Sequence, residues 1–510
     1  MNLTKEDISY LKDYGLSLEK VYRQLEAFSL GIPFVEIITA ASIGNGIEKI
    51  STENQKKLID YYEDKKDRLE LVKFVPASGA ATRMFKFLYE FIKDFNPEET
   101  TLNKYIKNGN HDMLSIFINS VKDFAFLTSV RKKIRENHPN FKHGTKGVRA
   151  HIFVKTMLEE KGMNFGNLPK GLVPFHKYKK YSTTAFEEHL YEAAFYASVN
   201  NNAYLHFTFS KKHVDSFKEE FKSVKNRVSK KTKTEFHISY SFQNKETDTI
   251  AVNKDNSLFK NSNGNPVLRP SGHGALLENL NNVDADIIFI KNIDNVVSEE
   301  YIEEIAYYKK VLAGKLLWIQ EKIFSYLKLL KSELVLSEKI TEIRSFLWNE
   351  LNIKEAPKSI EELINILNRP VRVCGVVRNT GAPGGGPFWV KNEEGEITLQ
   401  IVEMSQINPN DKRQQDIVSE ATHFNPVDLV CGIRDFEGKK FDLSKYVDAK
   451  SGIISEKSQD GKPLKALELP GLWNGAMAGW NSAFVEVPLL TFNPVKTVND
   501  LLKKEHRPLA

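Results

Sequence analysis

Only two cysteines, Cys374 and Cys431, occur in 510 residues. Both lie in apolar surroundings, VRVCGVV and DLVCGIR, so buried free thiols in a reducing compartment are expected rather than a disulfide framework. Long apolar runs are missing as well. No window reaches the roughly 18 uncharged apolar residues of a membrane span, and the opening MNLTKEDISYLKDYG carries charge where a secretory signal carries an apolar stretch. The expectation is a cytoplasmic protein with no membrane span. Charge of one sign is scarce: 72 Lys+Arg against 66 Asp+Glu leaves +6, too small an excess over this length to argue for nucleic acid as a partner. There is no internal repeat.

What is present is globular. Hydrophobic residues make up 41%, charged residues 27% and aromatics 11%, which is ample for a large core, and roughly 150 residues per domain predicts two to four units. Residues 1–70 show helical spacing, as in ISYLKDYGLSLEKVYRQLEAF, and read as an N-terminal helical segment. The first strong strand is LVKFVP, Leu71 to Pro76. Helical patterns then alternate with short apolar runs near 203, 284, 371, 396 and 482, predicting an α/β fold with a parallel or mixed sheet. Residues 71–298 read as the first part of that core and 369–510 as its second part with a C-terminal segment. Between them, 299–368 is a helical insertion with few turn residues, whose apolar stripe suits packing on the parent domain, a dimer seam or a membrane surface.

Three segments carry candidate chemistry. The strand LVKFVP runs into Ala77-Ser-Gly-Ala-Ala-Thr-Arg-Met-Phe-Lys86, a loop of small residues opening a helix. Ser78, Gly79, Ala80 and Thr82 let a phosphate approach the backbone and the unpaired N–H groups of the helix start, while Arg83 and Lys86 neutralise a polyphosphate. A tight turn without ligand fits the same spacing, and the GxxxxGK[ST] and GxGxxG fingerprints are absent there. In Leu268-Arg-Pro-Ser-Gly-His-Gly-Ala-Leu-Leu-Glu-Asn279, Gly272 and Gly274 flank His273 and leave room for a ring against main chain. The apolar strand IIFI then ends in Lys291-Asn-Ile-Asp-Asn295, which places Asp294 where open α/β sheets hold metal or ligand; Asn292 also suits ordinary turn chemistry. The third segment is Arg378-Asn-Thr-Gly-Ala-Pro-Gly-Gly-Gly-Pro-Phe-Trp389, whose consecutive glycines, Gly384 and Gly385 among them, are costly in entropy unless something approaches the loop. Downstream, Glu403 closes the strand EITLQIVE, in position to bond sugar hydroxyls or to face solvent.

In this order the segments resemble the eukaryotic-type UDP-sugar and UDP-N-acetylhexosamine pyrophosphorylases. PASGAATRMFK is similar to their glycine-rich activation loop, RPSGHGALLENL to their base loop, KNIDN to their metal and sugar loop, and IVEMS to their Val-Glu-Tyr-Ser segment. Lys170-Gly-Leu-Val-Pro-Phe-His176 stands in the place of their Pro-Lys-Gly, and Phe492-Asn-Pro-Val-Lys496 resembles their Phe-x-Pro-x-Lys. Two of the three loop glycines are replaced, by Ser78 and Ala81. The whole chain resembles still more closely a bacterial domain-of-unknown-function family with the signatures RPSGHGALLENL and GAPGGGPFW.

The resemblance implies a GT-A, Rossmann-like nucleotide-diphospho-sugar transferase sheet. It implies a nucleotidyltransferase that takes a nucleoside triphosphate and a sugar 1-phosphate, or a nucleotide sugar, with Mg²⁺ or another divalent cation at Asp294. Arg83, Lys86 and Lys496 would be catalytic; Ser78, Gly79, Ala80, Thr82, Gly272, His273 and Gly274 would bind nucleotide; Lys170, Asn292, Gly384, Gly385 and Glu403 would bind sugar phosphate. A glycosyltransferase of the same fold, a non-catalytic nucleotide-sugar sensor, and an interaction protein recognising partners through 299–368 remain open.

Overall fold

The structure is a computed structural model that describes residues 3–79, 81–332, 336–355, 357–381, 384–392, 395–459 and 461–508. The chain forms two units, one of residues 1–71, 241–290 and 309–489, the other of residues 72–240, 291–308 and 490–510.

The first unit is built around strands Asn481–Glu486, Val371–Arg378, His423–Gly432 and Ile287–Lys291, in that order. Val371–Arg378 runs parallel to Asn481–Glu486 and antiparallel to His423–Gly432, so the sheet is mixed. Its near-continuous burial matches the run VRVCGVV, apolar but for Arg372, as a strand covered on both faces requires. Cys374 and Cys431 are buried free thiols, and burial pushes Cys374 up to about 11. Helices Lys5–Tyr14 and Leu18–Leu30 lay Leu11, Val21, Leu25 and Phe28 on Ile250, Val252 and Leu467 of a four-stranded sheet. The first of these helices opens on a Thr4/Asp7 capping box and closes at Gly15, φ 105°.

The N-terminal segment is not helical throughout. Glu36–Ala40 is a strand that pairs with Gly386–Lys391, itself paired with Ile397–Val402. The reason is local: Val35, Ile37, Ile38 and Thr39 are β-branched and stiff at χ1, which favours a pleated surface over a helix.

The segment 299–368 contains helices Ile302–Leu330, Ser337–Leu351 and Ile360–Leu367. On the first of them Val311, Leu312, Leu316, Ile319, Ile323 and Leu327 are buried, so the stripe at these positions is core. Gly314 lies against another backbone: a Cβ there would stand 2.0 Å from the Leu58 carbonyl oxygen. No helix among the described residues is long and apolar enough to cross a membrane.

The second unit pairs Leu71–Pro76 in parallel with Asn202–Phe209, which also carries Glu235–Phe242 and the short Ser198–Val199. Helices Lys86–Asp94, Leu127–Asn137 and Lys146–Leu158 gather a core rich in Phe91, Phe117, Phe124 and Phe126, and Val495, Val498 and Leu501 of the C-terminal segment join it. Helix Ala185–Tyr196 is unusual in burying Glu187, Glu188, His189 and Glu192 along with its apolar residues. The chain is thus an α/β protein with N-terminal helices and a helical insertion, and every strand predicted from the apolar runs is present.

Candidate functional site

In the second unit, four stretches far apart in sequence meet at Lys170. Its ammonium donates to Asp294 Oδ2 at 2.6 Å and to the Val495 carbonyl at 2.8 Å, with the two side chains only 14% and 19% exposed. Its backbone N–H donates to the Gly79 carbonyl at 3.1 Å. The Asn292–Asp294 loop is joined from both sides: Ile293 N–H donates to the Pro76 carbonyl at 3.2 Å, and Val495 N–H to the Asp294 carbonyl at 3.1 Å. Lys496 follows Val495 with its ammonium 5.8 Å from the Phe492 ring. Burial lowers the Lys496 pKa, and the nearby Asp294 carboxylate works against that shift. Asn295 stitches the arrangement from behind, its side chain donating to the Thr491 carbonyl and accepting from Asn493 N–H.

The small-residue loop is presented at this place. Ser78 and Gly79 are exposed, and a Cβ on Gly79 would meet nothing within 4 Å. Thr82 donates to the Gly166 carbonyl at 3.3 Å, while Ala81 is fully buried in the core. A 3-10 turn, Ala81–Phe85, comes between the loop and helix Lys86–Asp94, so the helix starts one turn later than the sequence pattern suggests. Arg83 and Lys86 are exposed, and Lys86 sits 3.8 Å from Glu90 on its own helix. Ala80 lies outside the described residues.

The first unit holds the other predicted group. His273 Nδ1 accepts from Leu472 N–H at 2.9 Å, which leaves the proton on Nε2 to be donated to Glu403 Oε1 at 3.3 Å. The same oxygen accepts from Asn474 Nδ2 at 2.7 Å. The His273 hydrogen bond holds the Glu403 carboxyl below its ordinary range. Trp473 stacks on His273 with ring centroids 4.2 Å apart, and Arg372 holds the Trp473 carbonyl at 2.6 Å. The flanking glycines have a structural reason that the sequence reading did not find. Gly272 has φ 79° beside Glu468, and a Cβ on Gly274 would stand 2.3 Å from the Pro470 carbonyl oxygen. Gly385 is likewise close to Ile401, and its carbonyl accepts from Asn425 N–H. Gly384 is exposed, and its neighbours Ala382 and Pro383 lie outside the described residues.

Among the described residues no group of three or more His, Cys, Asp or Glu is arranged to hold a metal ion. Asp294 offers a single carboxylate. That fits Mg²⁺, which commonly takes one or two protein carboxylates and completes its octahedron with phosphate oxygens and water.

Sequence reasoning missed Trp473 and Asn474, although a Trp-Asn pair between the glycines of GLWNGAMAGWN was a readable signal. It also passed over Lys73 and Lys291, lysines set within apolar strands and buried.

Comparison with known proteins bears on the whole chain. No curated protein matches it. Among solved structures it is similar to a UDP-glucose pyrophosphorylase from Leishmania major, with 14% identity, 98% of this chain and 79% of that chain covered, and a TM-score of 0.44. It is similar also to the uridine diphosphate N-acetylglucosamine pyrophosphorylase from Trypanosoma brucei, with 10% identity, 98% and 79% covered, and a TM-score of 0.46. One family model matches residues 4–507, from the Thr4 capping box to just beyond His506, and the chain therefore belongs to the family described as Domain of unknown function (DUF4301).

Proposed function

We propose that the protein is a metal-dependent sugar-phosphate nucleotidyltransferase. It binds a nucleoside triphosphate or nucleotide sugar and forms a UDP-sugar from a sugar 1-phosphate with release of pyrophosphate. One observation carries this reading: Lys170 draws the small-residue loop, Asp294 and the segment ending in Lys496 together. A loop of small residues, a lone carboxylate and two ammonium groups are what a polyphosphate with its metal needs. The motif resemblance supplies uridine as the base.

In this reading an oxygen of the sugar phosphate attacks the α-phosphorus in line, the bond to the bridging oxygen of the β-phosphate breaks, and pyrophosphate departs. Little covalent chemistry falls to the protein, which positions the reactants and neutralises charge. Arg83 and Lys86 take the β- and γ-phosphates, with Ser78, Gly79 and Thr82 beneath. Lys496 and Lys170 take the α-phosphate or the sugar phosphate. Asp294 would hold Mg²⁺, which when bound offsets negative charge on the phosphate oxygens. The motif resemblance assigns Gly272, His273 and Gly274 to the base and Asn292, Gly384, Gly385 and Glu403 to the sugar phosphate. Two reduced, buried thiols accord with a cytoplasmic enzyme.

A sensor that binds nucleotide sugar without turnover is favoured by a different observation: Lys170 already occupies one oxygen of Asp294. A coupled pyrophosphate assay run in both directions separates the two. Turnover is expected in the parent, and Arg83→Ala should lower it by about 100-fold, close to 3 kcal/mol of transition-state stabilisation. Stabilisation by UTP, UDP-glucose or UDP-N-acetylglucosamine without turnover would establish the sensor. No response to any nucleotide with Mg²⁺ present would remove the ligand class.

A further inference from the structure

Beneath the Asn292–Asp294 loop lies a buried ionic cluster that the chemistry above does not use. Lys73, three residues before Pro76, donates to Glu192 Oε2 at 2.8 Å and to the His189 carbonyl at 3.1 Å. Lys291, the residue before Asn292, donates to the other oxygen, Glu192 Oε1, at 2.6 Å. Tyr196 donates to Oε2 at 3.4 Å, and its ring faces the Lys73 ammonium at 5.1 Å. The ionic side chains are at most 1% exposed. One turn earlier on the same helix, His189 Nε2 lies 3.2 Å from the Ile293 carbonyl oxygen, an acceptor, so Nε2 carries the proton.

Two ammonium groups around one carboxylate, all out of water, are expensive. Apolar residues of similar volume often do better for stability alone, so stability is a weak reason for the cluster. Its geometry does suggest a role. Glu192 grips, through one carboxylate, the strand that leads into the Ala77–Arg83 loop and the strand that leads into Asn292–Asp294. Ile293 then has both backbone polar groups committed, its N–H to the Pro76 carbonyl and its C=O to His189. The next residue is Asp294.

We propose that His189 and Glu192 are positioning residues of the phosphate site. They hold the Asn292–Asp294 loop at a set distance from the end of strand Leu71–Pro76, so that Asp294 and the small-residue loop meet the same polyphosphate. The proposal rests on the nucleotidyltransferase reading for its ligand, and on the loop geometry for the rest.

A matched pair of variants tests it. His189→Gln places an amide N–H where Nε2 stands and keeps the bond to Ile293; His189→Asn places it nearer Nδ1 and loses that bond. In His189→Asn, amide hydrogen exchange across 291–297 should quicken at least tenfold, and affinity for magnesium pyrophosphate should fall at least tenfold. Exchange in helix Lys146–Leu158 should stay as in the parent, and His189→Gln should recover most of both losses. Glu192→Gln provides the second reading if His189→Asn does not fold, with the same local loosening at 291–297 and at 73–79. Unchanged exchange at 291–297 in a folded His189→Asn protein overturns the proposal. Equal loss in the Gln and Asn variants also overturns it, because a role in packing alone ignores which nitrogen is replaced. A parent that binds neither pyrophosphate nor nucleotide overturns the nucleotidyltransferase reading, and exchange alone then decides whether His189 and Glu192 hold the loop.

Discussion

At Asp294 one carboxylate oxygen is taken by the Lys170 ammonium, and both side chains are mostly buried. Asp294→Asn keeps the shape and removes the charge. Losing a charge-assisted hydrogen bond at a partly buried site costs about 1.5–3 kcal/mol, so the variant should melt earlier while remaining folded. Its nucleotide affinity should no longer respond to Mg²⁺, whereas metal-free affinity should change little. Isothermal titration with UTP, with and without Mg²⁺, reads this directly, and a parent whose affinity is the same in both conditions would refute the role of Asp294. The glycines behave differently. Gly272 sits at φ 79°, which an L side chain adopts only with strain, and Gly274 has Pro470 main chain where a Cβ would go. Replacing either tests folding before it tests ligand binding.

Among the elements, helix Ile302–Leu330 gives the clearest contest between local preference and packing. Alanine is a better helix former than glycine by about 1 kcal/mol, so an exposed Gly314→Ala would stabilise. Here the new methyl would stand 2.0 Å from the Leu58 carbonyl oxygen, which forces helix Thr52–Lys65 to shift, and overpacking costs typically ~1–3 kcal/mol or more. Packing wins, and Gly314→Ala should lower the urea midpoint; a rise would show that the two helices part easily. Sequence patterns were informative at this level wherever the signal was local. LVKFVP, IIFI and VRVCGVV announced themselves as strands because buried strands are short, mainly apolar runs, broken here only by Lys73 and Arg372. The loops at Ser78 and His273 stood out through small residues, and Asp294 through a carboxylate at the end of an apolar strand. What stayed hidden depends on tertiary contact. Nothing near Glu403 in sequence says that Asn474 will bond it, and nothing near Lys73 says that Glu192 and Lys291 will surround it. The strand at Glu36–Ala40 had a local signal in its β-branched residues Val35, Ile37, Ile38 and Thr39 that the helical spacing around it masked, while its partner, Gly386–Lys391, some 350 residues away in sequence, was not legible.

The molecule as a whole carries buried and half-buried histidines that should make it acid-sensitive. Burial, with His176 adding to it, holds His506 down to about 3; burial lowers His206 to about 4, and burial with Lys73 beside it keeps His189 well below the ordinary range. Each binds a proton more readily in the unfolded chain, whose value is near 6.5. Stability is therefore full above about pH 6.5 and falls as the pH drops toward the folded-state values. Between pH 7 and pH 5, His506 alone should remove about 2 kcal/mol. Urea midpoints at the two pH values measure the total, and His506→Gln should show a smaller drop than the parent. Equal drops would mean that His506 titrates alike in both states.

The contact between Lys170 and Asp294 also dictates an order of events. A cation entering alone would have to displace an ammonium already 2.6 Å from the carboxylate, whereas a polyphosphate arriving with its own Mg²⁺ offers the displaced lysine an anion in exchange. Metal and nucleotide should consequently add as one complex rather than in sequence. In a thermal-shift titration, magnesium by itself would leave the melting temperature unmoved, and the same concentration would raise it once UTP is present.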